Sequence, residues 1–257
     1  MKLGVSYNVF DSEELLEGSI RQIRESVNFV SIVYQTNSNF GKPCNDNLIP
    51  LLKKLKEDGL IDYLFEYKPI MNLGAHFNEI AKRNIGISLS TRNECTHHMS
   101  IDADEYYTQS QFEYLKEQTI KNDLDSSYCQ MRTYYKTWEY QLDPPEEYYV
   151  SLLFKIKNNN VFEIGKNCPV LVDPTRRMEP GKFKIFKRDE IEMHHGSYIR
   201  NDIRVKLENS SASVNFRESI DKLVEYYEKW EYPNQAFLGG RPCLFHNIKK
   251  VENLLKK

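Results

Sequence analysis

Asp102 and Asp104 stand two residues apart, directly after the apolar run His97–Ile101. In an extended segment, side chains at that spacing point to the same side. Two carboxylates held together repel unless a cation lies between them or a proton is shared. An oxygen-rich pair of this kind suits a hard divalent ion, Mn²⁺ or Mg²⁺, and Mg²⁺ typically bridges carboxylates to substrate phosphates. The pattern points to a metal–diphosphate site, with a solvated acidic turn before the next helix as the plainer alternative. His194 and His195 follow a strand-like stretch, Glu190–Met193. A neutral imidazole there can complete the shell of a first-row metal.

Cations follow close behind. Arg200, Arg204 and Lys206 are placed to offset a diphosphate's charge or to form an ordinary solvated helix face. Lys82-Arg83-Asn84 reads as donor contact or as a polar helix face. In the turn Asp173-Pro174-Thr175-Arg176-Arg177, Asp173 can take a proton from an acceptor hydroxyl, and either arginine can meet phosphate. Glu146 and Glu147 are weaker base candidates beside two prolines.

These residues need elements to hold them. Leu3–Tyr7, Phe29–Tyr34, Ile61–Tyr67 and His97–Ile101 read as strands, Phe29–Tyr34 as a buried one. Helical spacing lies between them. Leu15, Leu16, Ile20, Ile23 and Val27 follow a cap at Asp11 or Ser12. Leu48, Leu51, Leu52 and Leu55 form a second stripe. Gly74 to about Asn93 is the third helix, with Phe77, Ile80, Ala81 and Ile85 inward. Alternating strands and helices predict an α/β fold with a Rossmann-type, mostly parallel sheet. Ligands of such sheets bind beyond the carboxyl ends of the strands, where Asp102–Glu105 falls. The second half is more mixed: a helix over Gln109–Lys121, strands over Tyr128–Trp138, Val150–Lys157 and Lys182–Lys187, and a helix over Phe216–Trp230. Residues 1–210 read as the main domain and 211–257 as a helical extension packed on it.

Composition narrows the classes. A net charge of −2 over 257 residues gives no reason to expect a nucleic-acid partner. Five cysteines without a C-x-x-C pair suggest neither a disulfide framework nor a zinc site. The amino terminus turns acidic too early for a signal peptide, and no apolar run approaches a membrane span. A cytoplasmic protein is expected, able to work at the inner face of a membrane.

Read together, these segments resemble the family-2-like glycosyltransferases of the GT-A fold. The resemblance rests on Tyr7-Asn8 after the first strand, SIVYQ with Asn37-Ser38-Asn39, and Lys82-Arg83-Asn84-Ile85-Gly86. It continues in HHMSI with Asp102-Ala103-Asp104-Glu105, and in Met193-His194-His195-Gly196-Ser197-Tyr198. It implies a transferase moving a sugar from a nucleotide-diphosphate sugar, a UDP-sugar first among them, to a saccharide or glycolipid hydroxyl. The implied metal ligands are Asp102, Asp104 and His195, with His194 less favoured, holding Mn²⁺ or Mg²⁺. The implied donor set is Tyr7, Asn8, Val9, Gln35, Arg83, Asn84, Asp102, Ala103, Arg200 and Lys206. Gln35 stands where many relatives carry an Asp for the base, and no Glu-Asp pair follows the acidic cluster to supply a general base. The competing classes are a metal-dependent nucleotidyltransferase, whose Gly-rich triphosphate loop is missing, and an inactive sugar- or nucleotide-binding module.

Overall fold

The computed structural model describes residues 1–157, 160–210, 217–238 and 244–255. Strands β1 (Leu3–Val9), β2 (Phe29–Tyr34), β3 (Tyr63–Glu66) and β4 (His97–Asp102) are parallel, in the order β3-β2-β1-β4. Helices α1 (Glu13–Ile23), α2 (Leu48–Glu57) and α3 (Ala75–Arg92) make the crossovers. This is the expected α/β arrangement. Ser12 precedes α1 at φ 68°, yet its side chain caps nothing; its hydroxyl donates to Asp11 Oδ1 at 3.0 Å.

The second half joins the same sheet. After β5 (Glu105–Tyr106) and α4 (Gln109–Asn122) come β6 (Ser126–Tyr135), β7 (Thr137–Asp143) and β8 (Tyr149–Lys155). β8 lies antiparallel between β4 and β6. The single strand expected over Tyr128–Trp138 is broken at Lys136, whose φ of 67° turns the chain back into a hairpin. β9 (Phe183–Ile185) and β10 (Glu192–Tyr198) run parallel to β6. α5 (Ile203–Asn209) and α6 (Ile220–Lys229) follow. Residues 211–257 are not only helical: β11 (Ala236–Leu238) and β12 (Leu244–Lys250) form a hairpin, and β12 pairs with β7. Phe216, expected to open the last helix, lies outside the described residues, as does Cys243. Cys44, Cys95, Cys129 and Cys168 are free thiols. Among the described residues no helix is long and apolar enough to cross a membrane.

Period-two alternation in β1 and β4 divides the molecule. Leu3, Val5, Tyr7 and Val9 join Met99, Ile101, Leu16, Ile20 and Leu52 in the main core. The alternate residues are small or polar and meet α3. A Cβ added at Gly86 would come within 2.5 Å of Ser6 Cβ, and one at Gly4 within 2.8 Å of Ser90 Cβ. His98 Nδ1 and Ser90 Oγ share a hydrogen bond of 2.9 Å. The inward face of α3 is therefore Asn78, Lys82, Arg83, Gly86, Ile87, Leu89 and Ser90. Phe77, expected inward, is exposed, and Ile80, Ala81 and Ile85 are only partly covered. The strand side chains beneath α3 are polar, so a polar helix face packs there. Gly86→Ala is expected to destabilise the fold by about 1–3 kcal/mol through overpacking, measured by denaturant unfolding; an unchanged midpoint contradicts this packing.

Candidate active site

The carboxyl ends of β1, β2 and β4 open into a cleft of about 400 Å³. Ser100 and Asp102 alternate with Ile101 toward α3, where Arg83 donates to Ser100 Oγ at 2.8 Å and to both Asp102 oxygens at 3.2 Å. The chain then turns at Ala103-Asp104. That turn separates the two carboxylates, which extended geometry had placed on one side. Asp102 faces Arg83 and Arg176, the latter at 2.5 Å. Asp104 faces Arg200, Lys206 at 3.3 Å and His195 Nε2 at 3.7 Å.

The antiparallel pairing of β10 with β5 delivers the histidine. His195 pairs with Glu105, and Gly196 N donates to Asp104 O at 2.8 Å. Alternation along β10 sends His194 the other way, to Tyr134 at 2.8 Å and away from the cleft. Burial holds the His195 imidazole below its usual pKa, against the pull of Asp104. It is therefore neutral near pH 7 and able to offer a lone pair.

Arg176 is the buried hub. Its guanidinium reaches Glu105, with one contact at 3.1 Å, and Asp102. Burial works to raise the Asp102 pKa, but Arg176 and Arg83 overcome it and hold the carboxyl below its usual range. Burial opposes ionisation of Asp104 too, yet Lys206, Arg200 and His195 keep its pKa well down. Glu105 goes the opposite way: burial pushes it up to about 7, in spite of Arg176. Asp173 starts the same turn and lines the cleft, and its Oδ1 accepts from Thr175 N at 2.7 Å and Thr175 Oγ1 at 2.6 Å.

The structure sorts the expected donor set. Asn8, Gln35, Arg83, Asp102, Ala103 and Lys206 line the cleft. Both amide atoms of Asn8 and Oε1 of Gln35 are buried without a partner. Tyr7 and Val9 do not line it: strand alternation turns them into the core, where Tyr7 meets Ser19 at 3.0 Å. Asn84 is turned out of the cleft and bonds the Phe162 backbone at 2.8 and 3.1 Å. Arg200 lies behind the cleft, clamping Asp104 to the Gly196 and Ile199 carbonyls at 2.9 and 3.1 Å. Arg204 pairs outward with Asp221. Arg177 and Glu146 stay off the cleft, and Glu147 is exposed. Sequence reasoning did not single out Glu79 and Asp11, which line the cleft, and left Lys82 undecided. Only their places on α3 and after β1 hinted at them.

Six carboxylates line the cleft, namely Asp11, Glu79, Asp102, Asp104, Glu105 and Asp173. Lys82, Arg83, Arg176 and Lys206 line it beside them, and Arg200 pairs with Asp104 from behind. Among the described residues no group of three or more His, Cys, Asp or Glu side chains is set for a metal ion. Asp104 and His195 nonetheless pair a carboxylate oxygen with a neutral imidazole nitrogen, a donor set that suits Mn²⁺.

No protein-family model matches the chain, and no curated protein does. Solved structures do. S. aureus TarS 1–349 in complex with UDP aligns with TM-score 0.50 and 10% identity, over 90% of this chain and 76% of that one. S. aureus TarS 1–349 alone gives TM-score 0.49 and 10% identity, over 89% and 73% of the two chains. The longer S. aureus TarS chain gives 0.48 and 10%, and this chain spans only 44% of it. The fold is GT-A-like, the mixed α/β fold shared with S. aureus TarS 1–349.

Proposed function

We propose that this chain is a metal-dependent glycosyltransferase, moving a sugar from a UDP-sugar to a saccharide or glycolipid hydroxyl. The observation that carries the reading is the meeting of Asp104, His195 and Lys206 at the carboxyl end of a parallel sheet. That is where α/β sheets bind their ligands. The binding of UDP by a protein of the same fold supports the choice of donor.

Asp104 and His195 are the ligands for Mn²⁺ or Mg²⁺, with Asp102 nearby to orient the donor. The ion, when bound, offsets the diphosphate's charge and favours its departure. Lys206 holds the phosphates from the other side. Arg200 keeps Asp104 in place from behind. Asp173 takes the proton from the acceptor hydroxyl as it attacks the anomeric carbon. Asp173→Asn is expected to lower kcat by about 10²–10⁴-fold with donor affinity kept; near-normal turnover would assign the base elsewhere.

Purified protein given Mn²⁺, a panel of UDP-sugars and simple saccharide acceptors tests the reading. UDP release that depends on the sugar donor and stops in EDTA supports it. Pyrophosphate release from a nucleoside triphosphate and a sugar phosphate would make the chain a nucleotidyltransferase instead.

A further inference from the structure

Helix α3 presents two charged side chains to the cleft that the mechanism above leaves unused. Lys82 is 5% exposed and Glu79 is half-buried. They stand three residues apart and so share one face of the helix. Both line the cleft, and no hydrogen bond or ion pair ties either one to another described residue. Burial disfavours the charged form of each, lowering the Lys82 pKa and raising that of Glu79. Glu79 and Lys82 offset each other's charge through space with no hydrogen bond between them, so a ligand group that bonds to both binds there at an advantage.

Their surroundings say which part of a ligand that is. After burial, Glu79 feels chiefly Arg83 and Lys82, then Asp102 and Asp173, and Lys82 feels chiefly Glu79, then Asp102, Arg83 and Asp11. The pair shares the cleft with Asp173, on the acceptor's side, and with the Asp102–Asp104 turn, on the diphosphate's side. The group that passes from one to the other is the sugar. An anion would satisfy Lys82 but meet Glu79 in a cleft already rich in acids. A hydroxyl satisfies both, donating to the carboxylate and accepting from the ammonium. Two adjacent hydroxyls do so with less crowding.

We propose that Glu79 and Lys82 form the subsite that grips hydroxyl groups of the transferred sugar and distinguishes one sugar from another. This rests on the glycosyltransferase reading. The test is calorimetric titration of the full chain, with Mn²⁺, against UDP and a panel of UDP-hexoses that includes UDP-GlcNAc. The tightest hexose donor should bind wild-type protein at least tenfold tighter than UDP. Lys82→Met and Glu79→Gln should each keep UDP affinity within about twofold and lose that tenfold advantage. Donor analogues lacking one ring hydroxyl should show the same loss on the unaltered protein, and the right analogue should lose nothing further in Lys82→Met. Equal loss of UDP and UDP-hexose in both variants would overturn the inference, assigning the pair to the diphosphate. So would wild-type protein that binds no hexose donor tighter than UDP. Wild-type protein that binds no nucleotide at all would overturn the functional reading, and the inference with it.

Discussion

Asp104→Asn should lower sugar-transfer turnover by about 10³-fold, equivalent to roughly 4 kcal/mol of transition-state stabilisation. Asn keeps the shape of the side chain and removes its charge. In the native site that charge meets Arg200, Lys206 and His195. Its loss removes the carboxylate half of the Asp104–His195 pair, so the divalent ion loses a ligand. It also frees Lys206 and leaves Arg200 buried without a counter-ion, which costs stability. Turnover must therefore be measured well below the unfolding temperature, with the folded fraction checked by circular dichroism. Added Mn²⁺ should restore part of the activity if the defect is in ion affinity. A fully folded Asp104→Asn protein within tenfold of wild type contradicts the assignment.

Arg176→Met should destabilise the fold by about 3–5 kcal/mol, the usual cost of removing one partner from a buried charge pair. Glu105 is 2% exposed and Arg176 6%, and the guanidinium also compensates Asp102. Met fills the volume and leaves two acids close together. Glu105 then has reason to take up a proton, since burial already favours its neutral form. The double variant Arg176→Met/Glu105→Gln should recover more than half of the loss, because the second change removes the charge left exposed to repulsion. Denaturant unfolding of the four proteins gives the coupling directly. A single-variant loss below about 1 kcal/mol would mean that the hub contributes little to stability.

The parallel half of the fold was legible because short apolar stretches such as Phe29–Tyr34, buried along nearly their whole length, recur between segments of helical spacing. The face of α3 was not. Apolar periodicity pointed to Phe77, Ile80, Ala81 and Ile85, yet the helix packs on Ser6, His98, Ser100 and Asp102, which call for small and polar partners. A polar stripe that is buried looks in sequence like one that is solvated. The carboxyl-terminal hairpin was missed because β11 has three residues and the side chains of β12 are mostly exposed, so no alternation marks them.

Within the site, Asp102, Asp104, His195 and Lys206 could be chosen by residue type, and the structure gathers them. The choice between His194 and His195 needed the pairing of β10 with β5, which sets the phase of alternation. Tyr7 and Val9 were misplaced for the same reason, since one-residue phase decides core or cleft. Arg176 was visible only as one cation in a charged turn. Its partners lie 71 and 74 residues away in sequence, a link that no local pattern carries.

Thermal unfolding against nucleoside diphosphates and nucleotide sugars, each with Mn²⁺ and with EDTA, tests the metal–diphosphate site most directly. A ligand at about 100 times its dissociation constant stabilises a fold by roughly 2.7 kcal/mol, enough to read as a shifted midpoint. The expected result is a rise with UDP and a UDP-sugar that disappears in EDTA and in Asp104→Asn. A midpoint unmoved by every nucleotide, or moved equally with and without the ion, would contradict it.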